Sequence, residues 1–594
     1  MQLTPATAVA LNFRQAKEMI QSGLPDGPIL TFSPDATVQV KKAGAETIEI
    51  EDCITGFTHA RILLLAKTLL DDIEQKLLAL GYSVGTVEGC RIFLFNYVPS
   101  LLLLERGLAN CDADDISIIE HGSKVCGLNR KEAFLRLAVP LSNSFDALLP
   151  TNRYGRVHAT FCNLANDLLS ALLTNRTAAF QLDHATPFTR RLCTEISSNN
   201  SNAAIISTRP PGKSLFASVR RALKSALAAR AKMPPAHDIR LFRAGSGRRL
   251  PMRCPDDLPV LAPSSATLDL ALRGGLCRYL PRIAEDAEAG ETLANTCKPS
   301  VLVLDHLIQP SAYSAAVSFA ARGVPSIMIN HGSDTAQTGR LAMLGAEFWA
   351  RHGRVNMPGL STLLCKSPLT APLAEHVSDN RPQILAINIG KKHKRAVRRP
   401  DEFVVVLAGN YRELHGYVPF VTETPGEYLR GLLEFARAAA EVDSMRLLVK
   451  LKPQKNGIPF EWLKDTLAST EFQGRVEIDT DTPFTSLFET MDLLVGNNSA
   501  TLQEALDNRI PVFLNTWRRR YCHFPARFDP PTPDDRSAAY AVRKADDLVP
   551  MLTAIRDAHR KPLDDQELDG LVWTEADLQK TQEFLRHALD PKPC

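Results

Sequence analysis

Apolar and polar positions alternate in blocks along this chain, and the last third shows it most cleanly. FVVVLA (403–408), RLLVKL (446–451), RVEI (475–478), DLLVG (492–496) and IPVFL (510–514) are short apolar runs. Between them lie stretches with helical spacing: one opened by Thr424-Pro425 and running to about Val442, one near 460–468, one near 484–490, and one from about Ser499 to Asn508. Strand, helix and strand again on short connections predicts a parallel sheet covered on both faces. Residues 390–594, entered through the basic connector GKKHKRAVRRP (390–400), are therefore expected to form a Rossmann-like lobe.

The first 389 residues repeat the pattern less regularly. ILTF (29–32), a long helix between about 58 and 80, IFLF (92–95), a helix near 100–108 and ISII (116–119) form one alternating set. VLVLD (301–305), a helix over 311–322 and PSIMIN (325–330) form a second. Between them lie a helical stretch near 154–174 and an irregular segment, 196–260, rich in Ser, Asn, Pro and Arg. The span reads as one large α/β lobe with an insertion, two smaller domains being the alternative. SIIEHGS (117–123) and SIMINHGS (326–333) both set His-Gly-Ser after an apolar run, as suits a sharp turn at the carboxyl edge of a sheet.

Composition narrows the class. The 594 residues, 45% hydrophobic and 23% charged, can fill two or three cores. A net charge of +3 from 69 basic and 66 acidic residues is too balanced for a surface that grips nucleic acid throughout. Basic residues do concentrate between Arg209 and Arg253, where Asp238 is the sole acid. Within KSLFASVRRALKSALAARAK (213–232), Leu215, Phe216, Val219, Leu223 and Leu227 share one helical face, and Lys213, Arg220, Arg221 and Lys224 lie opposite. Such a helix suits an anionic membrane surface, or else lays its apolar stripe on the lobe; it offers few aromatics to stack on bases, so no nucleic-acid partner is expected. Twelve cysteines without a CxxC pair point to free thiols in a reducing compartment and to no zinc site. The start, MQLTPATAVALNFRQ, lacks the features of a secretory signal, and the apolar run 92–104 is short and carries a proline, so no spanning helix is expected. A cytoplasmic chain, peripheral on the inner membrane face through 213–232, is the expectation.

The chemistry concentrates in GNNSATLQEAL (496–506), which ends a strand and opens a helix. Asn498 or Ser499 can cap that helix, and Ser499 and Thr501 aim hydroxyls and amides at one point, where a phosphate fits. Glu504 lies one turn further on and can accept from a ribose diol. A plain capped helix with a solvated Glu504 fits the local sequence equally well.

NNSATLQEALDNRIPVF (497–513) resembles the segment, usually Ser-Ser or Ser-Thr followed by EAL and a Gly-x-Pro-Val strand, that binds the donor nucleotide in many bacterial GT-B glycosyltransferases. LVKLKPQKN (448–456) is similar to the Lys-x-His-Pro element of bacterial sialyltransferases, capsule Kdo transferases and teichoic-acid glycerophosphotransferases. Lys450 and Pro453 fit that element, but Lys452 stands at the histidine position, which weakens the link to CMP-linked donors in particular. NHGSDTAQTGR (330–340) resembles the His-Gly loop ending the acceptor lobe in teichoic-acid polymerases and capsule enzymes, and EFWARHGRVNMPGLSTLLCKSP (347–368) is similar to the segment after it. The resemblance spans roughly 300–515.

It implies an α/β protein of the GT-B class: two Rossmann-like lobes facing a central cleft, with 1–389 the acceptor lobe and 390–594 the nucleotide-sugar lobe. The implied activity is transfer of a sugar from a nucleotide donor, hexosyl or CMP-linked such as CMP-Kdo, to a glycan or lipid-linked glycan in lipopolysaccharide or capsule synthesis. No cofactor is expected. Donor binding falls to Arg412 in GNYRE (409–413), Lys450, Lys452, Asn498, Ser499, Thr501 and Glu504. His331 and Asp334 are the first candidates for the base that deprotonates the acceptor; Asp305 is the alternative, and the nucleophile if configuration is retained. Glu120 and His121 in the matching loop come next. DTDTP (479–483) lacks a second acidic cluster, so a metal-independent reaction is expected, with Arg412, Lys450 and Lys452 neutralising the leaving phosphate. Competing readings are a polyol-phosphate transferase, a nucleotide-sugar epimerase, and a non-catalytic glycan-binding protein.

Overall fold

The computed structural model describes residues 4–143 and 258–588, apart from short stretches such as 389–391, 395–401, 410–415 and 452–460, and little but three strands between those spans. Three sheets organise it. The first contains β1 (Ala8–Ala10), β2 (Ile29–Thr31), β3 (Thr47–Glu49), β4 (Ile116–Glu120) and β5 (Ser123–Leu128), in the order β3-β2-β1-β4-β5, with β5 antiparallel to β4. The second contains β6 (Ala178–Gln181), β7 (Ala204–Arg209), β8 (Asp238–Phe242), β9 (Val301–Asp305), β10 (Ser326–Ile329), β11 (Thr362–Cys365) and β12 (Gln383–Ala386), in the order β12-β11-β10-β9-β6-β7-β8. The third contains β13 (Phe403–Gly409), β14 (Met445–Leu451), β15 (Val476–Asp479), β16 (Leu493–Gly496), β17 (Val512–Leu514) and β18 (Ala539–Ala541), in the order β15-β14-β13-β16-β17-β18. The third sheet, counted from its own first strand, runs 3-2-1-4-5-6, the doubly wound order, and the pairings of both larger sheets are all parallel. These are two Rossmann-like lobes, the arrangement expected of the GT-B class.

Alternation of side chains along the strands explains why both larger sheets are covered twice. In the smallest sheet, Ala8, Ala10 and Ile29 meet α1 (Phe13–Gln21) and α2 (Pro34–Lys42) on one face. Val9, Leu30 and Ile48 meet α3 (Gly56–Ala79) and α4 (Val84–Leu108) on the other. Helix α4 also packs on α5 (Arg130–Asn143), α6 (Ala266–Thr296) and α7 (Pro310–Ala320). In the seven-stranded sheet, Leu302, Leu304, Met328 and Leu363 face α7, α8 (Arg340–Ala350) and α9 (Ala371–Val377). In the six-stranded sheet, Val405, Leu407, Leu447, Val449 and Leu493 face α10 (Pro425–Glu441), and Val406, Leu494 and Val512 face α11 (Ala500–Asp507). Helix α12 (Leu548–Ala558) lies beside α10, and α13 (Glu575–Arg586) returns to the seven-stranded lobe, where Leu585 joins Val301, Val303, Ile327 and Ile329. Each fully buried aliphatic side chain contributes about 1.5–3 kcal/mol.

Three sequence expectations meet a different outcome. IFLF (92–95) is not a strand: it lies inside α4, which runs unbroken through Pro99. A proline inside a helix costs about 3 kcal/mol. Here the helix is buried nearly all round, so its apolar side chains offset that cost and its lack of periodicity hides it from a pattern reading. Among the described residues it is the one helix long and apolar enough to cross a membrane, and it packs as a core helix against α3, α5, α6 and α7. Second, the span read as an irregular insertion, 196–260, contains β7 and β8, the outer strands of the seven-stranded sheet. The 1–389 span thus carries two sheets. Third, the two His-Gly-Ser segments are not equivalent. His121 and Gly122, with φ of 49° and 82°, form the tight turn of the β4–β5 hairpin, whereas residue 330 leaves a parallel strand. The basic segment 213–232 and the stretch 154–174 lie outside the described residues.

Candidate functional site

In a doubly wound sheet a ligand sits beyond the carboxyl ends of the strands, at the point where the strand order reverses. Here that point lies between β13 and β16, and a cavity of about 610 Å³ opens there, reaching from Gly409 and Leu451 to Thr480, Gly496 and Asn515 at the ends of β13 to β17. Ser499 caps α11, accepting from the Thr501 amide at 3.3 Å, and its hydroxyl lies 2.7 Å from that of Thr501. Asn498, Ser499, Thr501, Glu504 and Lys450 all line the cavity. Of the expected donor-binding residues, these five are brought together; Arg412 and Lys452 lie outside the described residues, as does His331.

The lysines are buried and paired. Lys450 Nζ lies 3.2 Å from Asp479 Oδ1, which also accepts from the Asp481 and Thr482 amides at 2.8 and 2.9 Å. Burial would raise the Asp479 carboxyl, but the hydrogen bonds from Thr482, Asp481 and Lys450 outweigh it and hold it at about 2. DTDTP is thus a folded loop shaped around Asp479. Lys366, which follows β11 of the other lobe, reaches Glu504 at 3.2 Å.

The wall opposite α11 is the start of α10. Thr424-Pro425-Gly426-Glu427 is a capping box: Thr424 accepts from the Glu427 amide, and Glu427 from the Thr424 amide at 3.0 Å. Tyr428 crosses beneath Gly409, where a Cβ would lie 2.1 Å from the Tyr428 hydroxyl. The segment after β3 and the start of α3, on the five-stranded sheet, complete this wall from behind. Glu51 Oε1 accepts from the Thr424 hydroxyl at 2.5 Å and from the Gly426 amide at 3.0 Å. His59 bonds Tyr417 through Nδ1 and lies 3.3 Å from Glu427 through Nε2, and Arg520 forks onto both Glu427 oxygens at 2.9 and 3.1 Å. Burial opposes the Glu427 charge, but His59 and Arg520 hold its carboxyl well below the usual range.

Two titrations in this contact oppose one another. Burial pushes the Glu51 carboxyl up from 4.5 to about 7, despite the Thr424 hydrogen bond. The stability it contributes is complete below about 4.5 and is lost as pH rises through about 7. Burial pushes His59 below its ordinary 6.5, so its contribution is present above 6.5 and is lost as pH falls. Glu51→Gln should therefore leave only the histidine arm. Urea unfolding between pH 5 and 8 is expected to show a variant that gains stability relative to wild type as pH rises through 7; parallel profiles would refute it.

The expected acid–base residues stand elsewhere. Asp334 is buried, and both oxygens are engaged: Oδ1 accepts from Trp349 Nε1 at 2.8 Å and Oδ2 from Asn330 at 3.0 Å. Its loop is stitched to the six-stranded lobe, with Thr335 bonded to the His523 carbonyl at 2.5 Å and Gln337 to the Cys522 backbone at 2.9 and 3.3 Å. Burial holds His523 neutral, pushed down to about 4. Asp305 ends β9, half-buried. Glu120 pairs with Arg136 beside the exposed hairpin turn. None of these lines the cavity. Sequence reasoning missed Lys366, Thr424 and Tyr428; the Thr-Pro-Gly-Glu cap was a readable signal, whereas nothing local marks a lysine that acts across a lobe boundary.

No protein-family model matches the chain, and no curated protein matches it by sequence. Solved structures similar to it include a UDP-GlcNAc 2-epimerase from Neisseria meningitidis bound to UDP-GlcNAc, with TM-score 0.37 and 8% identity over 70% of this chain and 99% of that one. A glycosyltransferase from Rickettsia africae gives 0.32 and 11% over 70% and 93%, and a spinosyn rhamnosyltransferase 0.31 and 12% over 70% and 96%. At such scores the likeness goes no further than the α/β fold already read from the strand order.

Proposed function

We propose that this cavity binds the nucleotide of an activated sugar, and that the chain is a glycosyltransferase delivering that sugar to a surface-glycan acceptor. The observation that carries the reading is convergence. The capped start of α11, two buried lysines and a carboxylate one turn further on meet in a single cavity of about 610 Å³ at the switch point of the sheet. That volume lies within the roughly 300–1,000 Å³ of small-molecule sites. Ser499 and Thr501 with the α11 amides would hold a phosphate, Lys450 would donate a hydrogen bond to it from its pair with Asp479, Glu504 would accept from the ribose, and Phe484 offers an aromatic face for the base. With both Asp334 oxygens engaged, we assign that residue to holding the loop that bears His331, and His331 to taking the acceptor proton. Lipopolysaccharide or capsule synthesis is the pathway we favour, with a hexosyl or CMP-linked donor such as CMP-Kdo and 213–232 resting on the inner membrane face.

The test is a thermal-shift panel of UDP, GDP, CDP and CMP compounds. A ligand at a hundredfold excess over Kd stabilises by about 2.7 kcal/mol, so one nucleotide should raise Tm clearly. Failure of all four would remove the donor assignment. With the donor known, His331→Ala should slow transfer about 10²–10⁴-fold while donor binding persists.

A further inference from the structure

Among the described lining residues, Lys366 is the one supplied by the seven-stranded lobe. It follows directly on β11 and is 5% exposed, with Nζ 3.2 Å from Glu504 Oε1. Its backbone is fixed on both sides. The carbonyl of Cys365 accepts from Trp573 Nε1 at 2.8 Å, and Ser367 caps the single turn Pro368–Thr370. Leu369 then packs into the core of the six-stranded lobe. The ammonium therefore comes from a strand end wedged against the other lobe and meets a carboxylate on the helix that opens the cavity. One turn beyond Glu504, Asp507 is pushed by burial up to about 6, although Lys366 pulls it down. The ammonium donates its hydrogen bond to Glu504.

We propose that Lys366 is a positioning residue for the nucleoside: it holds one oxygen of Glu504 from across the lobe boundary and so turns the other toward the ribose hydroxyls. The proposal rests on the nucleotide reading above and deepens it. A carboxylate fixed at one oxygen keeps its rotamer, and an acceptor held in place before the ligand arrives forms a stronger charge-assisted bond than one that must be ordered on binding. The ribose subsite then draws on both lobes, the carboxylate coming from one and the ammonium that fixes it from the other.

The readout is the ratio of affinities for a ribonucleotide and its 2′-deoxy analogue, measured by calorimetry on the full chain with whichever nucleotide the panel selects. Wild type should prefer the ribonucleotide about tenfold, the worth of one hydrogen bond to a charged group. Lys366→Met and the milder Lys366→Gln should still bind nucleotide but bring the ratio close to one. Glu504→Gln should do the same, and the double variant should lose nothing more. A lysine that merely ties the lobes together would lower Tm and leave the ratio alone. Wild-type preference that survives in both Lys366 variants overturns the inference while the nucleotide reading stands. Nucleotide binding without ribose preference in wild type removes the role given to Glu504 and the inference with it. If no nucleotide binds, both readings fall.

Discussion

Arg520→Ala is expected to lower the stability of the protein by about 3–5 kcal/mol, the usual cost of stripping one partner from a buried ion pair. The guanidinium forks onto Glu427, and both side chains are mostly buried, at 15% and 18% exposure. Without it the Glu427 carboxylate keeps its capping bond to Thr424 and the contact with His59, but burial holds that imidazole neutral, so the charge loses its main counter-ion. The double variant Arg520→Met with Glu427→Gln removes both charges and should recover most of the loss. Urea unfolding curves of the three proteins decide the matter. Equal destabilisation in the single and double variants would mean that the stranded Glu427 charge is not what costs the single variant its stability.

Gly409→Ala should cost about 1–3 kcal/mol as an overpacked site and weaken nucleotide binding at least tenfold. The added Cβ would lie 2.1 Å from the Tyr428 hydroxyl and 2.7 Å from Leu451 Cδ2. The leucine methyl can swing aside, but the phenol is a rigid ring in the cavity wall, so relieving the clash displaces part of that wall. Adding Tyr428→Phe removes the clashing oxygen, and the pair should regain both stability and affinity. Calorimetry with the panel nucleotide is the check, and a Gly409→Ala variant that binds as wild type would mean that this part of the wall does not touch the ligand.

The six-stranded lobe was legible because its strands are continuous apolar runs and its helices carry caps: Thr424 and Ser499 open helices where the residues say they should. The first half was harder for physical reasons. Helix α4 is apolar on every side and so has no period to betray it. Strands β7 and β8 lie amid Ser, Asn, Pro and Arg and take their strand character from the sheet they extend. At the site, the residues that act within one element, Ser499, Thr501 and Glu504, could be nominated from spacing. Glu51, His59 and Lys366 gain their meaning from partners hundreds of residues away or on another lobe, and no local pattern announces such a contact.

The return of α13 to the seven-stranded lobe makes the six-stranded lobe an interruption within its neighbour rather than a bead following it on a string. The polypeptide crosses once between Ala386 and Phe403 and again between Leu571, whose carbonyl Gln503 grips at 2.9 Å, and Trp573, whose indole bonds Cys365 at 2.8 Å. A body tied by one thread can tumble; one tied by two swings as a door does, about the line joining its attachments. Since the second crossing is anchored at Cys365, next to Lys366, that side of the door stands beside the cavity. Opening the far side would change the angle at which the two lobes meet while the cavity's hinge edge scarcely moves.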